Sequence, residues 1–328
     1  MKDTPFTKMP TQTEAGKAFE YALVKKTYEL LSPCHSVELK EDSSLQVARN
    51  CFDLFGAKDQ DKYLRAAITA SLHIIEIEPR LNNPYSPDDT LTLQIAPDSE
   101  GIKGDVRDVL LLRSAQSWEI GISAKNNHKA VKHSRLSDKI DFGKEWLGLP
   151  CSDAYYSNVL PVFQELRQLK EKEELWRNLP GKHRRFYIPV LEAFKDELIR
   201  LDRENPSTVP ANLLRYLIGH KDFYKIIKRS NKSEVYGFHL YGTLNKPAEK
   251  VKPTFKVPRL KLPARIIEII IKPNSTDTII LTCDEGWQIS FRIHNASSKV
   301  EPSLKFDINL IGQPPSLYTH HLNWVSHI

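Results

Sequence analysis

Apolar residues in "TEAGKAFEYALVKKTYELL" (13–31) recur with a helical period, at Ala15, Phe19, Ala22, Leu23 and Leu30. Thr11 or Thr13 can cap the start of that helix. Residues 43–57 and 60–77 also read as helices, and "YLRAAITASLHII" is mostly buried in character. The turn-rich "NNPYSPDD" (82–89) then ends the helical region. Three strands are predicted after it. "TLTLQIA" (90–96) alternates, "DVLLLR" (108–113) is an apolar run, and "SWEIGISAK" (117–125) is the third. A basic segment, "NNHKAVKHSRLSDKI", comes next. Residues 153–175 and 183–203 predict long charged helices, and 208–228 a shorter helical pair. From about residue 233 the texture is that of strands: "EVYGFHLYGTL", "RIIEIIIK", "TDTIILTCD", "GWQISFRIHNA" and "SLKFDINLIG".

This order predicts an α/β core with a β-rich C-terminal part. A boundary near 230–245 divides the chain into a core of 1–235 and a C-terminal region of 236–328; a continuous β-rich extension of one domain is the alternative. The stretch 245–265 holds four prolines and seven lysines or arginines against one glutamate. Its prolines favour an extended path, and it reads as a DNA-backbone contact or as a solvated connector.

With 328 residues, of which 40% are hydrophobic and 27% charged, the chain has the makeup of an ordinary soluble globular protein. Its net charge of +6 means little if spread evenly; clustered, it points to an anionic partner. Cys34, Cys51, Cys151 and Cys283 show no CxxC spacing, which argues against structural zinc and a disulfide framework and for reduced thiols. The opening "MKDTPFTKMPTQTEAGK" lacks the apolar core of a signal peptide. The most apolar run, 265–272, is too short to span a bilayer. The expectation is a soluble, cytoplasmic protein with no membrane partner. Nucleotide-binding GxGxxG or GxxxxGK[ST] and hydrolase GxSxG motifs do not occur.

The chemistry concentrates in 104–125, "GDVRDVLLLRSAQSWEIGISAK". A tight turn around Ser114–Ser117 would pair residues whose numbers sum to roughly 231, with direct partners about 4.5–5.5 Å apart at Cβ. Asp108 then falls opposite Ser123 and Val106 opposite Lys125. Alternation puts Gly121, Ser123 and Lys125 on one face, so Asp108, Ser123 and Lys125 converge at one end with Asp105 close by. Glu119 shares that face but lies roughly 20 Å from Lys125. A carboxylate beside a lysine at a strand end suits phosphodiester hydrolysis. The carboxylate is a hard oxygen ligand for Mg²⁺, which polarises the phosphoryl oxygen and lowers the pKa of bound water. The lysine orients or deprotonates that water, or neutralises charge developing on the phosphate. An exposed salt bridge is the competing reading.

The adjoining basic segment favours hydrolysis over the salt bridge. "KNNHKAVKHSR" (125–135) carries Lys125, Lys129, Lys132, Arg135, His128 and His133 and no acid. As a helix it would set His128, Lys132 and Arg135 on one face. A polyanion reaching Lys125 would lie across it, with an affinity that falls steeply with salt. Asn126 and Asn127 suit adenine, and Arg135 or Lys129 guanine, in the major groove. "GKHRR" (181–185) reads as a solvated face, and His320 and His321, without a third ligand at metal spacing, as structural. A DNA-binding protein without catalysis, in which Asp108 and Lys125 merely pair, is one alternative. A ββα-metal, HNH-like nuclease is another, though "NNHKAVKH" has the residue types and not their order.

The block 104–152, from "GDVRDVLLLR" through "WEIGISAKNNHKAVKHSRLSDKIDFGKEWLGLPCS", resembles the HaeIII-type family of Type II restriction endonucleases. "GKAFEYAL" (16–23) resembles the first helix of the wider PD-(D/E)xK nuclease superfamily. The resemblance implies a restriction-endonuclease-like fold: a mixed central sheet flanked by helices, with the β-rich part C-terminal to it. It implies a Mg²⁺-dependent enzyme that cuts double-stranded DNA centrally within GGCC, leaving blunt ends, and a cognate DNA methyltransferase as functional partner. In the superfamily pattern the aspartate opening the second core strand binds metal, and Asp108 matches it. The lysine ending the third strand acts at the water, and Lys125 matches. The acidic position two before that lysine is Ser123 here, so a second acid must come from elsewhere. Asp105, Glu20, Asp138, Asp141 and Glu145 are candidates, with Asp105 and Glu20 favoured as further catalytic and metal-binding residues. Asn126, Asn127, His128, Lys129, Lys132, His133 and Arg135 are the expected DNA-binding residues. A palindromic site favours two-fold symmetry; a monomer nicking one strand at a time is the alternative.

Overall fold

Thr11 opens the first helix, α1 (Gln12–Leu31), with a reciprocal cap. Its hydroxyl accepts from the Glu14 N–H at 3.2 Å, and the Glu14 carboxylate accepts from the Thr11 N–H at 2.5 Å. The computed structural model describes residues 10–97, 105–127, 130–249 and 251–324. They form two compact units, one drawn from 1–128, 221–260 and 316–328 and the other from 129–220 and 261–315. Each unit gathers chain from both sides of residue 235.

In the first unit α1 packs on α2 (Ser43–Asp53) and α3 (Ala57–Ile77) through the small and apolar residues whose spacing marked them as a stripe, including Ala18, Phe19, Ala22, Leu23, Ala66 and Ala70. A one-turn helix, α4 (Pro79–Asn82), follows α3. The helices lie against a seven-stranded mixed sheet. Its members are β1 (Val37–Leu39), β2 (Leu91–Ile95), β3 (Val109–Arg113), β4 (Trp118–Asn126), β6 (Phe223–Lys228), β7 (Lys232–Phe238) and β12 (Tyr318–Asn323), in the spatial order β1-β2-β3-β4-β6-β7-β12. The pairs β1–β2 and β4–β6 are parallel; the others are antiparallel. Val109, Leu111, Ile120, Ile122, Ala124, Tyr224 and Ile226 join the helices in one core. Arg113 locks the far end of β3. Fully buried, it donates to the carbonyls of Arg80, Leu81 and Asp89 at 2.7–2.8 Å and lies 3.6 Å from the Asp89 carboxylate.

The second unit holds a five-stranded antiparallel sheet in the order β5-β11-β10-β9-β8. Its strands are β5 (Ala130–Leu136), β8 (Ile266–Ile271), β9 (Thr278–Cys283), β10 (Gln288–His294) and β11 (Leu304–Gly312). Helices α5 (Asp153–Glu171), α6 (Ile188–Glu204) and α7 (Thr208–Ile218) belong to the same unit. Phe142, Trp146, Phe194, Phe291 and Phe306 meet there in an aromatic cluster.

The α/β class and the helix-flanked mixed sheet are as expected from the chain. Two predicted helices are strands. The second member of the pair expected over 208–228 is β6: Gly219, with φ of 93°, ends α7, and the β-branched and aromatic "FYKIIK" then pairs between β4 and β7. The basic stretch read as a helix is β5, where Ala130, Ser134 and Leu136 are buried in alternation and the ladder to β11 fixes the register. His128 and Lys129 lie outside the described residues. The short β1 and the late β12 carry no strand signal in the hydrophobic pattern. Among the described residues no helix is long and apolar enough to cross a membrane.

Candidate active site

The β3–β4 hairpin supplies the centre. Its turn is a single tight helical turn at Ser114–Gln116, closed by Ser117 with φ of 46°. Val109 pairs with Ile122 and Arg113 with Trp118, the register expected from the turn. Asp108, one residue ahead of β3, is held in the ladder at both backbone groups: its N–H donates to the Ile122 carbonyl at 2.8 Å, and its carbonyl accepts from the Ala96 N–H at 2.9 Å. Its carboxylate Oδ2 accepts from the Ala124 N–H at 2.7 Å, the Lys125 ammonium at 2.9 Å and the Ser123 hydroxyl at 3.3 Å. The side chains of Asp108 and Lys125 are 24% and 29% exposed, enough for a substrate to reach them. The backbone donor and the hydroxyl aim the carboxylate, and the lysine neutralises it.

Of the two favoured second acids, Glu20 is the one electrostatically joined to this pair. It is buried on α1, and its carboxylate accepts from the Lys17 ammonium at 3.0 Å. Burial first, and the Asp108 charge second, push Glu20 up to about 7 against the pull of Lys17 and Lys125. Two carboxylates sharing one field form an all-oxygen donor set of the kind that a hard divalent cation favours. Among the described residues no three or more His, Cys, Asp or Glu side chains gather as a metal site, so such a cation would draw its remaining ligands from water and substrate.

Asp105 is engaged differently. Its carboxylate takes three side-chain bonds from the Arg107 guanidinium at 2.7–3.1 Å, and Arg107 reaches Glu119 at 3.2 Å with its other nitrogen. Arg107 holds the Asp105 carboxyl below the usual range, against the opposing effect of burial, which is the larger single influence. Arg107 crosses β4 at Gly121, where a Cβ would stand 2.1 Å from the Arg107 Cδ, so only glycine admits it. Glu119, set aside on distance, also pairs with Lys221. Asp138 is bonded to Arg167, and Asp141 accepts from the N–H groups of Lys144 and Cys151.

The expected DNA-binding residues are spread over both units. Asn126, at the end of β4, bonds Tyr63, Lys228 and Gln12. Asn127 turns the chain with φ of 58°, donating its N–H to the Lys228 carbonyl at 2.9 Å and accepting from Arg229 at 3.1 Å. In β5 the alternation separates Lys132 from His133 and Arg135, so the common helix face is replaced by opposite strand faces. Lys132 donates to the Tyr216 carbonyl at 2.8 Å and sits 3.7 Å from the centre of the Tyr216 ring; burial brings its pKa down to about 8. His133 is 2.7 Å from Asp307, and Arg135 is bonded to Glu301 and Ser303. The helix that an HNH-like site requires is absent from the described part of this segment. His320 stacks near His73 with centroids 4.5 Å apart, and His73 bonds the Tyr318 hydroxyl at 2.8 Å, a packing role on β12. The first part of the basic stretch 245–265 is pinned within its unit: Asn245 bonds the carbonyls of Ile77 and Phe255 and the Val257 N–H, and Val257 and Leu260 are buried.

Two residues of the site escape a reading of the sequence by itself. Lys17 carries a legible signal, three positions before Glu20 on one helix face. Lys225, 5% exposed, stands beside Ser123 across β4–β6. Burial, then the charges of Lys125 and Arg229, lower it to about 7, and Asp108 opposes them. Nothing in "FYKIIK" announces that neighbour, because strand order alone creates it.

A model of the HaeIII restriction endonuclease family matches residues 16–314. Type II restriction enzyme HaeIII of Haemophilus aegyptius is 41% identical over 311 residues, covering 94% of this chain and 97% of that one. No solved structure matches.

Proposed function

The chain belongs to the HaeIII restriction endonuclease family, and on that footing we propose that Asp108 and Lys125 hydrolyse double-stranded DNA at GGCC with the help of Mg²⁺. It is a Type II restriction endonuclease, a site-specific deoxyribonuclease whose substrate is double-stranded DNA. The family is compatible with divalent-metal chemistry; magnesium and the GGCC site follow from the family resemblance. The observation that carries the residue assignment is the three-donor cradle on the Asp108 Oδ2, with Lys125 at 2.9 Å.

Asp108 and Glu20 would hold the cation, and Lys17 would keep Glu20 oriented at the buried end of α1. Once bound, the metal would supply polarisation of the phosphoryl oxygen and acidification of a bound water. Lys125 leaves Asp108 to take a position at the scissile group. There its ammonium orients the attacking water or offsets the charge that accumulates on the phosphoryl oxygens. The water oxygen forms a new P–O bond in line with the P–O bond that breaks. The departing sugar oxygen takes up a proton, so one water is consumed per strand cut. Ser123 cannot act as a second anionic ligand; its hydroxyl is one of the donors that fix Asp108. Asn126 and Asn127 close the same strand, and they, with the exposed His133 and Arg135, remain the proposed DNA contacts.

A plasmid digest tests the proposal. Discrete fragments ending within GGCC should form with magnesium and vanish with chelator. Asp108→Ala and Lys125→Ala should each lower the cleavage rate by roughly a thousandfold while retaining the fold and duplex binding. Cleavage at wild-type rate by either variant defeats the assignment.

A further inference from the structure

Asp108 continues the β3–β4 register opposite Ser123, and Ser123 pairs on its other side with Lys225 of β6. Direct partners on neighbouring strands project to one face, and the strands lie about 4.8 Å apart. Carboxylate, hydroxyl and ammonium thus form a row across the sheet at the site, with the hydroxyl where the superfamily pattern has an acid. Lys225 is buried, and the charges it feels are those of Asp108, Lys125 and Arg229. An ammonium held out of water costs the fold stability that an apolar side chain of similar length would not. A role at the neighbouring pair accounts for keeping it there.

We propose that Lys225 is a positioning residue of the cleavage site: its buried charge offsets Asp108, so that Lys125 can leave that carboxylate for the scissile phosphate or the attacking water. The inference rests on the roles proposed for Asp108 and Lys125. In the DNA-free chain Lys125 is held by Asp108 at 2.9 Å, and an ammonium held by one carboxylate is neutralised towards DNA. A second cation in the same field shares the carboxylate, loosens its hold on the first, and leaves a local positive excess that complements a phosphodiester. The effect is strong because the group is buried, where solvent screens it little.

The full chain is tested as wild type, Lys225→Met, Lys225→Arg and Lys125→Met. The readouts are single-turnover cleavage of a GGCC duplex with magnesium, duplex affinity in chelator, and thermal melting. Lys225→Met should slow cleavage roughly tenfold or more, keep duplex affinity within about threefold, and melt no lower than wild type, since methionine fills the space without a buried charge. Lys225→Arg should retain more of the rate than Lys225→Met. The inference is overturned by a Lys225→Met protein that cleaves within about twofold of wild type. Loss of rate accompanied by weaker duplex binding or a lower melting temperature, or the reverse ranking of the two variants, overturns it equally. A wild-type protein that does not cleave, or a Lys125→Met protein that cleaves normally, brings down instead the assignment of the site beneath it.

Discussion

Glu20→Gln should make the metal-free protein more stable at alkaline pH while removing its cleavage. In the native chain Glu20 is raised from 4.5 to about 7 by burial and by Asp108. Between those two values the native state keeps a proton that the unfolded chain has lost. The stability Glu20 contributes is therefore full below 4.5 and is lost as pH rises through about 7. A shift of that size corresponds to a ceiling of about 3 kcal/mol, at roughly 1.4 kcal/mol per unit. Glutamine cannot ionise, so it escapes this loss, but it leaves the Lys17 ammonium with a weaker partner than the carboxylate now 3.0 Å away. A net gain of about 1–2 kcal/mol remains, or a melting temperature about 2–5 °C above wild type near pH 8.5, with little difference near pH 5. The assay is thermal unfolding in chelator at both pH values, repeated with magnesium. Magnesium should raise the melting temperature of the wild type by mass action and that of Glu20→Gln less. Equal melting of the two proteins at both pH values would refute the argument that Glu20 lies in the field of Asp108, and with it the case for Glu20 as the second acid.

Three other outcomes are expected from the packing. Gly121→Ala should cost about 2–3 kcal/mol in urea unfolding, because its Cβ would meet the Arg107 side chain at 2.1 Å. Arg113→Met should cost about 3–5 kcal/mol by the same measurement, since three buried carbonyls and Asp89 lose their donor. Arg135→Ala, tested by duplex affinity against salt concentration, should reduce the logarithmic salt slope by about one if Arg135 exchanges Glu301 for a DNA phosphate; an unchanged slope assigns it to that ion pair alone.

Local pattern was enough for much of this protein. The capping box at Thr11, the helices of the first eighty residues, the β3–β4 hairpin and its register depend on neighbours a few positions away, and all could be read from the chain. So could the meeting of Asp108, Ser123 and Lys125, since a tight turn and a two-residue period place them together. The basic run 130–136 and "FYKIIK" mislead because their strand state comes from the ladders to β11 and to β4 and β7, partners distant in sequence. Which second acid stands near Asp108 was equally beyond local reasoning: Asp105 is adjacent in sequence, yet Arg107 holds it, while Glu20 arrives on a helix almost ninety residues earlier. Lys225 gains its place only from the parallel pairing of β4 with β6. Sequence determined the elements and one hairpin's chemistry, because those interactions are short in range. Tertiary structure decided which charges share a field, because Coulomb energies depend on distance through space and on burial, and neither is written in the spacing of residues along the chain.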